Sequence, residues 1–251
     1  MDKYAYQVIL KMKQIILLLS IWLTISCTEK EETAAAVVDK AIAFHGGSAY
    51  DSLSVKFKFR DRLYQIKKVN KTFTYKRIFI DSLENILLDV LTNNGLIRTY
   101  ADTAVVLSAK DSIAFANSVN SVQYFALLPK PLQDPAVILN KKAGTNIKNK
   151  AYYTIQVTFK RQNGGNDFDD VFMYWFDKED YRMDYLAYHY HTDGGGIRFR
   201  AAYNSREVDG VIFQDYHNYE VPSGTDLVTL PAMYEAEALT LLSEIELVFI
   251  E

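Results

Sequence analysis

The sequence predicts an α+β domain built on one large curved antiparallel sheet of about 10–11 strands. Three observations carry that expectation. Apolar and polar residues alternate with a period of two in two long blocks, and helical spacing interrupts them only at the start, the middle and near the end. Short turn-forming links join successive strand segments, as in a continuous meander. The chain also holds 18 Tyr and 14 Phe against 5 Pro, and aromatic residues at that density favour strands.

The opening helix is expected over Ala34–Phe44. Thr33 can cap it, and His45-Gly46-Gly47 can stop it with glycine where a left-handed residue is needed. Val37, Ala41 and Phe44 recur at helical spacing, so this helix should lie against a sheet. His45 stands where an imidazole can meet the exposed carbonyls of the last turn. From Ser54 the period becomes two, with Val55, Phe57 and Phe59 alternating with Lys56, Lys58 and Arg60. Further strands are expected near 72–81 and 85–92, then Asn93-Asn94-Gly95 as a hairpin turn, then strands near 96–100 and 104–108. Residues 111–128 read as a helix with Phe115, Val119, Val122 and Phe125 on one side, ended by Pro129 and Pro131. Asp134-Pro135 can start a short helical turn through Leu139. Strands return near 152–160, 171–176, 181–191, 197–203 and 211–221, and a brief helix near 231–239 with a strand near 243–249 closes the chain.

Cys27 is the single cysteine, so no disulfide can form within the chain. It ends the apolar run 15–26, which Lys11 and Lys13 precede and small Ser26 completes. Those are the parts of a secretion signal, and the run is short for a bilayer span of about 20 residues. The expected organisation is a signal peptide over 1–26, with Met12 as an alternative start, an acylated (palmitate-bearing) Cys27 and acidic tether over 27–32, and one domain over 33–251. An uncleaved N-terminal anchor is the rival. Residues 1–26 hold three lysines and one aspartate, so their removal takes the net charge from −3 to −5. With no dominant basic patch, that balance argues against a nucleic-acid partner.

Several of these features resemble known proteins. Thr24-Ile25-Ser26 before Cys27, with Leu23 one place early, is similar to the loose lipobox of Bacteroidota lipoproteins. Thr28-Glu29-Lys30-Glu31-Glu32 fits a solvated tether, and it also resembles the acidic signals that send such lipoproteins to the outer face of the outer membrane. The helix end Ala41-Ile-Ala-Phe-His45-Gly46-Gly47, the helix inserted after about five strands and the helix-plus-strand ending resemble the LolA/LolB-like lipoprotein-carrier fold. Phe115-Ala-Asn-Ser-Val-Asn-Ser-Val122 and Leu186-Ala-Tyr-His-Tyr-His191 are similar to stretches in a family of uncharacterised Bacteroidota lipoproteins. The resemblance implies a half-barrel whose concave face is covered by helices, with a hollow able to hold acyl chains. The lipid tether departs from the carriers, because an anchored chain cannot ferry cargo across the periplasm; an anchored acceptor like LolB stays open.

The chemistry-bearing residues leave the choice of function open. On the segment 171–176 both faces are apolar: Val171, Met173 and Trp175 on one, Phe172, Tyr174 and Phe176 on the other. A sheet covered on both sides explains this, and so does a cavity lining. His189 and His191 share a strand face, as do Asp215 and His217, with Tyr185, Ala187, Phe213 and Tyr219 beside them. If those strands pair, the three imidazoles and the carboxylate could form a metal ligand set or line a partly polar cavity. The candidate cavity residues are therefore Trp175, Met173, Tyr185, His189, His191, Phe213 and His217. Gly194–Gly196 lies between strands, unlike a phosphate-binding loop. Asp167-Phe-Asp169-Asp170 lacks calcium-loop spacing, and no Gly-x-Ser-x-Gly occurs. Asp-Ser/Thr-aliphatic triplets at 51–53, 81–83, 102–104 and 111–113 resemble O-glycosylation sites of exported Bacteroidota proteins, with Ser52, Ser82, Thr103 and Ser112 as acceptors. Turn and cap chemistry accounts for them equally well.

The expectation is a monomeric, non-enzymatic lipoprotein of the outer membrane, facing the periplasm or the exterior. It would bind a lipid or other apolar ligand and need no cofactor or metal. The alternatives are a surface module for a protein or glycan partner and a metal-dependent enzyme using the histidine cluster.

Overall fold

The computed structural model describes residues 4, 31–160, 170–191 and 194–250. The chain divides into two units, Met1–Glu32 and Thr33–Glu251, and the fold is that of the second.

Helix α1, Ala34–His45, begins where Thr33 Oγ1 accepts the Ala36 N–H at 3.1 Å. Gly46 ends it at φ +144°, where a Cβ would stand 2.8 Å from the Gly210 carbonyl oxygen; only glycine fits. The buried stripe is Val37, Val38, Ala41, Ile42 and His45, one position round from the expected one, and Phe44 is 36% exposed. His45 does not face the carbonyls of its own helix. Its Nε2 accepts the Met183 N–H at 3.2 Å, on a strand of the facing sheet.

The first strand block gives β1 (Ser54–Phe59), β2 (Arg62–Val69), β3 (Thr72–Ile80), β4 (Ile86–Thr92), β5 (Gly95–Tyr100) and the short β6 (Thr103–Ala104). Helix α2 (Ala109–Ala126) follows, capped by Ser108 Oγ. The second block gives β7 (Val137–Ile147), β8 (Lys150–Phe159), β9 (Val171–Asp177), β10 (Met183–Tyr190), β11 (Gly196–Val208) and β12 (Val211–Val221). Helix α3 (Leu230–Glu235) and strands β13 (Thr240–Ile245) and β14 (Val248–Ile250) complete it.

All strand pairs are antiparallel, in two seven-stranded sheets that are not closed. The expected α+β class holds, and the strand array is divided where the sequence suggests one ladder. The division falls between β13 and β14, which follow each other in the chain but belong to different sheets: β13 pairs with β12 and β14 with β1. Asp215 holds that crossing. Its Oδ1 accepts the Leu247 N–H at 2.9 Å and Arg206 Nη2 at 2.9 Å, and Arg206 also donates to the Leu247 carbonyl. At the far edges lie β6 and β7, and α2 connects them in sequence.

Three strands depart from the sequence expectation. β2 was not marked by a clean alternation, and the helical turn expected over 134–139 is only a cap: Asp134 Oδ1 accepts the Ala136 N–H at 2.8 Å, and β7 begins at Val137. The strand expected near 104–108 shrinks to two residues before α2.

The inner faces of both sheets, α1 and α2 share one apolar cluster that includes Phe57, Tyr64, Tyr174, Phe176, Phe213 and Tyr216. A second cluster lies on the other face of the second sheet, under α3, around Trp175, Met173, Tyr185 and Phe199. In β9 both faces are thus covered by protein. On the first sheet a buried charge cluster ties α2 down. Asp89 receives Arg77 at 2.7 Å and Arg98 at 2.6 Å. Arg77 Nη1 also donates to Ser118 Oγ at 2.7 Å, and the Arg98 guanidinium lies 3.4 Å from the centre of the Phe115 ring.

Candidate functional site

Between α2 and the inner face of the second sheet is an open hollow of about 440 Å³, within the size range of small-molecule sites. The register of the sheet explains its wall. Tyr174, Leu186 and Arg200 stand opposite one another across β9, β10 and β11, and Phe172 and Tyr188 stand opposite one row away. Phe159 extends the wall on β8, and α2 supplies Ser121, Tyr124 and Phe125 from the other side. Phe59 and Arg60, at the end of β1, edge the hollow. The rings pack on each other: Phe172 stacks with Tyr174 at 6.2 Å and with Tyr188 at 5.5 Å, and meets Phe159 edge-on at 5.8 Å.

Polar side chains line the hollow too: Arg60, Asn117, Asn120, Ser121, Asp170 and Arg200, beside three tyrosines. Arg200 Nη2 donates to Tyr188 Oη at 2.8 Å. Asp170 Oδ1 accepts the His191 N–H at 3.2 Å and lies 3.1 Å from His191 Nδ1. Burial pushes the Tyr174 and Tyr124 phenols above their ordinary range, with Arg200 opposing the rise at Tyr174. Both are therefore O–H groups at neutral pH. The wall can enclose an apolar chain and offer hydrogen-bond donors, and among the described residues it shows no nucleophile hydrogen-bonded to a base.

The residues singled out from the sequence are distributed elsewhere. Trp175, Met173 and Tyr185 lie in the second cluster, on the opposite face from the hollow. The sequence showed that both faces of β9 are apolar, and it could not tell which one α2 faces. His189 and His191 do touch, with ring centres 4.6 Å apart, but His189 edges an outer depression with Val171 and Met173. His217 stacks on Tyr203 at 4.2 Å and lies 3.7 Å from Glu244. Its register partner on β11 is Ala201, which pairs with Tyr185, four residues from His189 along β10. That offset is about 13 Å along the strand at 3.3 Å per residue. The imidazoles do not converge on one point, and Asp215 is engaged at the strand crossing. Among the described residues no group of three or more His, Cys, Asp or Glu could hold a metal ion. Phe213 is in the main cluster, 4.7 Å from Phe249. Ser52, Ser82 and Thr103 are exposed and Ser112 is half-buried in the first turn of α2. Cys27 lies outside the described residues, and no described helix is long and apolar enough to cross a membrane.

Residues 12–247 match the model of a family described as a family of unknown function, DUF6503. The chain belongs to that family. No curated protein matches it. Among solved structures, the DUF6503 chain is similar to a LolA superfamily protein from Nitrosomonas europaea, at 10% identity over 77% of this chain and 88% of that one, with a TM-score of 0.44. A putative outer membrane lipoprotein-sorting protein domain from Vibrio parahaemolyticus matches at 10% identity over 81% and 99% of the two chains, with a TM-score of 0.40. A DUF1329 family protein from Desulfovibrio piger matches at 12% identity over 84% and 100%, with a TM-score of 0.37.

Proposed function

We propose that this DUF6503 protein is a membrane-anchored envelope lipoprotein that holds a lipid or other apolar ligand in the hollow under α2, without catalysis. The observation that carries the reading is the hollow itself: open, about 440 Å³, and walled by Phe59, Phe125, Phe159, Phe172 and Tyr188. An aromatic wall of that size suits an acyl chain, because ligand sites are mostly apolar with few placed polar groups. The anchor is acylated Cys27, supported by the apolar run before it. The loose lipobox and the acidic tether support a Bacteroidota outer-membrane location. Ser52, Ser82, Thr103 and Ser112 remain proposed glycan acceptors.

Native mass spectrometry of the protein purified from its own membrane tests the ligand. A co-purifying lipid is expected, and Ser121→Trp, which places an indole at the rim of the hollow, should reduce its occupancy without changing the thermal midpoint. Loss of nothing on Ser121→Trp, or a protein that carries no lipid and takes none up, would refute the reading. For the anchor, labelled palmitate should enter the wild-type chain and not Cys27→Ser.

A second reading, a surface module for a protein partner, is favoured by the outer face of the first sheet. There Leu63, Ile78 and Leu88 stand in one cross-strand row, and Val90 and Ile97 in the next beside Lys76. Ile97 is 64% exposed. Aliphatic residues flanked by lysine suit an apolar partner surface with an acidic rim. Ile97→Lys should abolish such binding and leave lipid occupancy unchanged.

A further inference from the structure

We infer that the hollow holds an amphiphile by an anionic head, a carboxylate or a phosphate, seated against Arg200 and the hydroxyls of Tyr124 and Tyr174. The inference rests on the reading of the hollow as a ligand site and adds the chemistry of the ligand's polar end.

Arg200 is the first observation. It sits in the middle of β11, in register with Leu186 and Tyr174 on the inner face, and helps line the hollow. Arg200 is half-buried there, and a guanidinium partly withdrawn from water is stabilised by a partner that offsets its desolvation. Four arginines elsewhere in the domain have a carboxylate partner: Arg77 and Arg98 share Asp89, Arg182 has Asp184 and Arg206 has Asp215, whereas Arg198, two residues along β11, donates to the Ile197 carbonyl. Arg200 has only neutral company among the described residues. Nη2 donates to Tyr188 Oη at 2.8 Å, Nε reaches Asn218 Oδ1 at 3.5 Å, and the Phe125 and Tyr188 ring centres lie at 5.6 and 5.1 Å. Asp170, the carboxylate of the hollow, is bonded to His191.

The two tyrosines are the second, independent observation. Tyr174 is fully buried, and neither its hydroxyl nor that of Tyr124 has a hydrogen-bond partner among the described residues. Both residues line the hollow. A buried hydroxyl without a partner is uncommon and calls for an explanation. As protonated phenols these groups can donate, and the guanidinium can only donate. Donors that line one hollow together with a fixed positive charge are complementary to oxygen atoms carrying negative charge, and the arginine fork matches both carboxylate and phosphate. The aromatic wall then takes the chain attached to that head.

Three probes with the same twelve-carbon chain separate the terms: dodecanoate, dodecyl phosphate and dodecanol. Each is titrated against the purified full chain by displacement of Nile red, a neutral dye. At least one anionic probe is expected to displace the dye at a concentration about tenfold or more below dodecanol, and the stronger of the two identifies the head. Arg200→Gln should bring that probe to the level of dodecanol and leave dodecanol unchanged, while Arg200→Lys keeps part of the preference. Tyr174→Phe removes one donor at constant ring shape and should weaken the anionic probe alone, so it carries the test if Arg200→Gln does not fold. Equal displacement by dodecanol and both anions overturns the anionic head, and a preference that survives Arg200→Gln overturns its seat at Arg200; either result leaves the apolar hollow standing. Failure of all three probes and of the dye to bind overturns the hollow as a ligand site.

Discussion

His45 ends α1 with its imidazole turned into the protein, and that orientation sets a pH dependence. Desolvation by burial lowers its pKa from 6.5 to about 4, so the folded protein holds it neutral and accepting from Met183. The unfolded chain binds the proton more readily, so stability from this group is complete above pH 6.5 and is lost as pH falls toward 4. Between pH 7 and pH 4.5 the loss should be about 2–3 kcal/mol. Urea unfolding at the two pH values measures it, and His45→Gln should remove that part of the slope; an unchanged slope in the variant sinks the assignment. Asp89 is the second residue with a disproportionate role. It is fully buried between two guanidiniums, so Asp89→Asn leaves two positive charges without compensation. We expect a cost of about 3–5 kcal/mol, read as a fall in the denaturant midpoint. His45 could be seen in the sequence as a histidine at a helix end. Its acceptor role could not, because Met183 is 138 positions away.

At the scale of elements, the clean alternation in β1 and the Asn93-Asn94-Gly95 turn were readable because each is local. The misread segments are those where local pattern and final pairing disagree. β2 carries Gln65, Lys67 and Lys68 around Tyr64 and Ile66, and only Tyr64 and Ile66 are fully buried. β7 is an edge strand with Lys141 and Lys142 and an irregularity before Thr145, and edge strands use lysine and bulges in this way. The decisive element is the closing segment, which pairs as β13 with one sheet and as β14 with the other. Asp215→Ala should free that crossing, with a cost of about 3 kcal/mol from the unpaired Arg206. Hydrogen exchange checks it: the Leu247 amide, bonded to Asp215, should lose protection before the amides of β8–β10. Equal protection in variant and wild type would show that the ladder hydrogen bonds alone hold the join.

For the whole molecule, function depends on which side of the second sheet is roofed by α2. Local sequence determined a great deal: the α+β class, two of the three helices closely and most strands, since hydrophobic period and turn chemistry act within a few residues. It also showed that β9 is apolar on both faces, as a doubly covered strand must be. The tertiary structure alone decided that Phe172 and Tyr174 meet the hollow while Met173 and Trp175 lie under α3. It also placed Arg200 opposite Leu186 and across the hollow's lining from α2 with Tyr124, and it separated His217 from His189 and His191. The physical reason is that period two names two faces without ranking them. The ranking comes from cross-strand register and from the packing of helices joined to the sheet at distant points of the chain.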